Sequence, residues 1–329
     1  MSRSFGIPVL YFICLSIVWF SCRERRPATN EKKERVIAPV FQEDSAFALL
    51  EKQLAFGPRI PNTPAHQQAA DFIIRKLKSY GARVYTQPFE SESYDGKKLR
   101  LVNIIGSFRP EVQKRVVLAA HWDTRPFSDK DPVSPDKPFD GANDGASGVA
   151  VLLEVARNLQ TAPNVGVDII FFDGEDWGEP DGTSLPTPSG LDSWYCLGSQ
   201  YWSKNKHLPG YRAYFGILLD MVGGKDAQFF KEGASVMYAP NVVDKVWSTA
   251  ASLGYGSTFI MQKEGPITDD HVFVNRLAGI PMIDITPFQP GYGYFGEFHH
   301  TQQDNISVIS RKTLGIVGRV VMQVVYLEE

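Results

Sequence analysis

Val167-Asp168-Ile169-Ile170-Phe171-Phe172-Asp173-Gly174-Glu175-Asp176 is the stretch on which the fold turns. A short run dominated by β-branched and aromatic residues, ended by Asp-Gly, reads as a buried strand stopping at a turn. Chain that leaves a strand end carries function out of proportion to its length. Glu175 and Asp176 at that edge repel one another and resist desolvation, so the pair makes sense if one binds a cation and the other moves protons. A solvated acidic turn fits the tetrapeptide equally well, and the rest of the chain has to decide.

Outward from this stretch the same unit recurs. Residues 115–120 form a buried strand that His121-Trp122-Asp123 leaves, residues 214–219 end at Asp220, and residues 281–285 supply another strand. Helical patterns fall between them at residues 149–159, 241–253, 271–277 and 311–327. This alternation predicts an α/β single domain, a mostly parallel central β-sheet with helices on both faces. Upstream, Asp44 or Ser45 caps a helix to about Ala55, and Thr63 caps a second with Pro64 at its first position. Residues 83–89 and 99–105 make two strands around Asp95-Gly96. His66, on the second helix, reads as a surface residue.

The 329 residues, 43% hydrophobic and 22% charged, suffice for one sizeable core. A net charge of -3 and the lack of a basic stripe exclude a nucleic-acid surface. Three cysteines make no disulfide framework, and Cys196 stands alone in the body as a free thiol. Arg3, an apolar stretch over residues 5–20 and Ser21-Cys22 have the layout of a secretory signal, with Cys22 where a lipoprotein is cut and acylated. The predicted organisation is therefore residues 1–22 as signal with lipoprotein Cys22, 23–40 as charged linker and 41–329 as folded domain. The body would be exported, periplasmic or on the cell envelope, touching membrane only through the anchor.

Ligands of open parallel sheets bind beyond the carboxyl ends of the strands, where Asp144, Glu175, Asp176 and Asp220 all fall. Small residues around Asp144 free its carboxylate at a helix start, where it could otherwise cap. Phe298-His299-His300-Thr301 supplies imidazole; in extended chain neighbouring side chains point opposite ways, so only one of the two His is expected to face the site. Two carboxylates, one imidazole and an open fourth position make a catalytic zinc centre.

The ordered set His121-x-Asp123, Asp144-Gly145, Glu175-Asp176, Asp220, Asp270-His271 and His300-Thr301 resembles the zinc aminopeptidase fold of metallopeptidase family M28, and more closely the glutaminyl cyclases built on it. The likeness runs from about Phe56-Gly57-Pro58-Arg59 to the last helix. It implies one Zn2+ held by Asp144, Asp176 and His300, Glu175 as general acid/base, and Asp220 and Asp270 as paired acids. Such an enzyme converts the N-terminal glutamine of peptides and proteins to pyroglutamate with release of ammonia. An M28 aminopeptidase would instead hold a second zinc through His121 and Asp220, with Asp144 bridging. Between Asp176 and Gly198 lie 21 residues, too long for a mere connector. They resemble the aromatic loop of the cyclases, which implies that Trp194, with Trp177, walls the substrate pocket. His299 stands where animal cyclases have Trp and implies a third substrate-binding position. Gly-x-Ser-x-Gly is absent, which excludes the usual esterase elbow.

Overall fold

In chain order the elements are α1 (Glu43–Leu54), α2 (Pro64–Ser79), β1 (Arg83–Glu92), β2 (Lys98–Phe108), β3 (Arg115–His121), α3 (Ala146–Asn158), β4 (Gly166–Phe172), α4 (Leu197–Lys204), β5 (Phe215–Leu219), β6 (Phe229–Lys231), α5 (Gly233–Tyr238), α6 (Pro240–Ser252), β7 (Phe259–Lys263), α7 (Asp270–Phe273), β8 (Met282–Ile285) and α8 (Arg311–Tyr326). They come from a computed structural model that describes residues 1–6, 8, 38–160, 163–180 and 182–328. Cys22, nearly all of the signal and most of the linker lie outside the described residues. Val36–Glu329 form one compact unit, apart from Met1–Arg35.

Six strands make one sheet in the order β1-β2-β4-β3-β5-β8. The four strands β4, β3, β5 and β8 are parallel, and β1 and β2 run antiparallel along one edge. Period-two alternation divides the side chains between two cores. Val116, Leu118 and Ala120 face one layer with α1, α2, α3 and α8, whereas Val117 and Ala119 face the other with Trp202 of α4. The mostly parallel sheet with helices on both faces is as the sequence indicated.

Three local expectations need correction. The α1 N-terminus is not capped by Asp44 or Ser45; buried Glu154 of α3 accepts from the Gln42 amide (3.1 Å) and from Ser45 Oγ (2.7 Å) instead. The helix placed at residues 271–277 is α-helical only through Phe273 and then widens into a π turn, Val274–Ala278. There the Asn275 amide donates to the carbonyls of His271 and Met282, tying the turn to β8. His66 is buried rather than on the surface: its Nε2 pairs with Asp173 Oδ1 at 2.9 Å and its ring stacks on Trp122 at 4.2 Å. Burial alone would lower the His66 pKa, but the Asp173 carboxylate outweighs it and raises it. The pair fastens α2 to the end of β4.

Candidate active site

Three of the parallel strands deliver titratable residues at the same edge. β3 ends in His121, β4 runs into Asp173-Gly174-Glu175-Asp176, and β5 hands over to Asp220. Gly174 turns the chain at φ 70°. Asp123 then fixes the pair behind it, one carboxylate oxygen accepting from the Glu175 amide (3.1 Å) and the other from the Asp176 amide (3.2 Å). On the neighbouring loop Arg59, fully buried, donates to the carbonyls of Asp140, Gly141 and Asp144. The Asp304 carboxylate accepts from the amides of Asn143 and Asp144. Asp144 therefore does not cap α3, whose N-cap is Gly145 with no side-chain bond. Gly145 is required there because a Cβ would lie 2.7 Å from the His121 ring.

The result is a cavity of about 340 Å³ lined by Asp144, Glu175, Asp176, Asp220, Asp269, His299 and His300. His300 Nε2 lies 2.9 Å from Asp176 Oδ1 and 3.6 Å from Asp144 Oδ2. Ligand atoms about 2.0–2.1 Å from a tetrahedral zinc are roughly 3.3 Å apart, so these separations bracket what the metal needs. Asp144 Oδ2 is buried with no hydrogen-bond partner, a state that a cation would relieve. On the far side of the ring His300 Nδ1 faces Asp129 Oδ1 at 3.3 Å, the carboxylate–imidazole arrangement that orients metal-binding histidines. Carboxylate and imidazole donors of this kind suit zinc. Two sets of ligand atoms within 4.8 Å of one another meet at Asp144, one with His299 and His300 and one with His121 and Asp220; Asp176 belongs to neither.

Burial and like charges raise the pKa of several acids. Burial, with the charges of Asp269, Asp176 and Asp270, lifts the Glu175 carboxyl well above its usual range. Burial also holds Asp220 up at about 7, with the nearby His121 opposing and the charge of Asp269 adding to it. Burial would lower His300, but the charge of Asp176 and the bonds to Asp129 and Asp176 raise it to about 9. His299 goes the other way, pushed well below its usual value by burial and by the His300 charge.

Both histidines line the cavity, where only one was expected. The expectation assumed extended chain, whereas His300 is left-handed at φ 55° and its ring lies 3.7 Å from that of His299. The acid beside Asp220 on the cavity wall is Asp269 and not Asp270. Asp269 is the last extended residue (φ −154°, ψ 176°) before α7, and Asp270, the first helical one, turns inward with both carboxylate oxygens unpartnered. Trp194 and Trp177 are not on the wall either. Ser193 and Tyr195 line it, while Trp194 between them donates its Nε1 to the Leu185 carbonyl. Trp177 packs with Phe89, Leu99, Leu101 and Leu197. Cys196 is a free thiol as expected, but it is buried and donates to Glu175 Oε1 at 3.2 Å. No spacing in the sequence announced that contact, nor the support from Arg59 and Asp304.

The model of Peptidase family M28 matches residues 103–325. The glutaminyl-peptide cyclotransferase of Drosophila melanogaster is 27% identical over 287 residues, 78% of this chain and 73% of that protein. Among solved structures, the Bacteroides thetaiotaomicron glutaminyl cyclase bound to N-acetylhistamine is 48% identical with a TM-score of 0.85, covering 89% of this chain and 100% of that one. A Zn-dependent exopeptidase from Parabacteroides distasonis is 50% identical with a TM-score of 0.85, covering 88% and 100%.

Proposed function

Taking as premise that the chain belongs to peptidase family M28, we propose that it is a zinc-dependent glutaminyl-peptide cyclotransferase acting on peptides and proteins with N-terminal glutamine. One observation carries the reading. The loop after Asp176 closes the cavity with Ser193 and Tyr195 and sets the Cys196 thiol on Glu175, giving a small walled pocket. The 48% likeness to a glutaminyl cyclase supports it. Asp144, Asp176 and His300 would hold a single zinc, which supplies polarisation of the glutamine γ-carbonyl. Glu175 takes a proton from the α-amine as its nitrogen bonds to the γ-carbon. The same carboxyl returns that proton to the γ-amide nitrogen as the old carbon–nitrogen bond breaks, and ammonia leaves. Asp220 and Asp269, sharing a proton, hold the amide and amine in register. Tyr195 and Phe295 shape the wall around the side chain.

A second reading rests on His121. Its Nε2 lies 3.0 Å from Asp144 Oδ1 and 3.3 Å from Asp220 Oδ1, yet neither contact is aligned as a hydrogen bond. Three atoms converging in this way suit a second metal ion and an aminopeptidase. Incubating the purified protein and zinc with a glutamine-initiated and a leucine-initiated peptide separates the two. Ammonia with loss of no other mass supports the cyclase with one metal per chain. Free amino acid, a shortened peptide and two metals per chain would establish the aminopeptidase. We extend the proposal to export with a lipid anchor at Cys22, on the signal-like layout of the leader; unchanged membrane association in Cys22→Ser would overturn it.

A further inference from the structure

Next to the catalytic cavity is a larger one, of about 530 Å³. The two share Phe295 as a common wall. Segments that line the first continue into the second: Asn143 precedes Asp144, and Phe298 precedes His299. Its apolar surface comes from Pro287, Phe288 and Phe298. Phe288 is fixed edge-on against Phe230 at 5.2 Å and Tyr294 at 5.1 Å, so the ring is a standing surface. The rim sets one cation, Lys225, against two acids, Asp226 and Glu297.

Among the residues lining it, Asn143 is incompletely paired. Its Oδ1 accepts from the Gly223 amide at 2.7 Å, while its Nδ2 is buried with no partner. A buried donor left unpaired costs about 1–3 kcal/mol, which an incoming acceptor would recover. Gly224 stands over it. A Cβ at that position would lie 3.5 Å from Asn143 Nδ2 and 3.3 Å from Phe298 Cζ, so the missing side chain keeps the space above the amide open.

We propose that this cavity is the subsite for the two residues that follow the substrate's glutamine. It takes an extended segment, with an apolar or aromatic side chain against Phe288 and Phe298 and a backbone carbonyl directed to Asn143. The inference rests on the cyclase reading and adds its substrate preference. An extended chain advances about 3.3–3.6 Å per residue, so the one shared wall is crossed within one or two residues.

The test measures kcat/KM by ammonia release for glutaminamide and for Gln-Ala-Ala, Gln-Phe-Ala and Gln-Ala-Phe amides. Phe at the second or third position is expected to gain at least ~5-fold over Ala, in keeping with partial burial of one ring. Phe288→Ala removes the ring and Ser307→Trp fills the cavity from its exposed edge. In both, the ratio of the Phe peptide to glutaminamide is expected to fall by the same factor, with melting temperatures reporting that the variants fold. Equal values for Phe and Ala peptides, or a gain that survives both substitutions, would overturn the subsite. Absence of ammonia from glutaminamide itself would be a different failure, that of the cyclase reading, and would remove the inference with it.

Discussion

Glu175 is useful because its surroundings disagree about its charge. Burial and the neighbouring acids favour the protonated carboxyl, while the Cys196 thiol and the His121 charge favour the anion. A group balanced in this way takes and returns a proton within one turnover. Glu175→Gln removes that capacity with little change of shape, and kcat is expected to fall at least ~10²-fold while metal content per chain stays the same. The same assay decides between the adjacent acids. Asp269→Asn should lower kcat by a comparable factor, because Asp269 faces the cavity and shares charge with Asp220. Asp270→Asn should change kcat less than ~10-fold, since that carboxyl does not line the cavity, burial disfavours its charge and an amide has nearly its shape. Equal losses would return the role to Asp270. Sequence order could not separate the two, because the choice is made by one backbone step from extended to helical at Asp269.

At the scale of elements, the short α5 controls where that step occurs. Glu232 caps it, accepting from the amides of Ala234 and Ser235, and also accepts from the Ile267 amide and pairs with His271 Nε2. It thus ties α5 to the segment that carries Thr268 and Asp269 into the cavity. Burial would raise its pKa, but the bond and charge of His271 and the capping bonds prevail and lower it from 4.5 to about 2. A carboxyl depressed on folding stabilises above its unfolded pKa, and the contribution is lost as pH falls through the folded one. Wild-type stability should therefore fall by roughly 3 kcal/mol between pH 4.5 and about 2 on this account. Glu232→Gln should be less stable at pH 7 and show a shallower acid limb, as chemical denaturation at a series of pH values would report. A parallel limb in the variant would show that the cap contributes nothing. A capping glutamate three residues before Ser235 is legible in sequence; its reach to Ile267 and His271 is not, because those partners are 35 and 39 residues away.

Over the whole molecule, the parallel strands were legible because burial on both faces writes itself as continuous apolar runs, and Glu175, Asp176 and Asp220 were legible because they follow such runs. The inward turn of His66 was read less well, since polar neighbours on one face hide a histidine whose partner, Asp173, is 107 residues on. The sheet's larger consequence is electrostatic. It brings Asp144, Glu175, Asp176, Asp220 and Asp269 to one edge, an accumulation of charge that a metal ion makes tolerable. Without the metal, protons must substitute. Asp220, raised on folding from 3.8 to about 7, gives the metal-stripped protein stability that is present below pH 3.8 and is lost as pH rises through about 7. His300, raised from 6.5 to about 9, acts in the same direction over a higher range. Metal binding works oppositely, because its ligands must be deprotonated and its affinity grows with pH. The difference in melting temperature between zinc-loaded and chelator-stripped protein is thus expected to widen steadily from pH 4 to pH 9. A difference that stayed constant would mean that Asp220 and His300 are not protonated in the stripped site, and that the cluster is held together by contacts other than the metal.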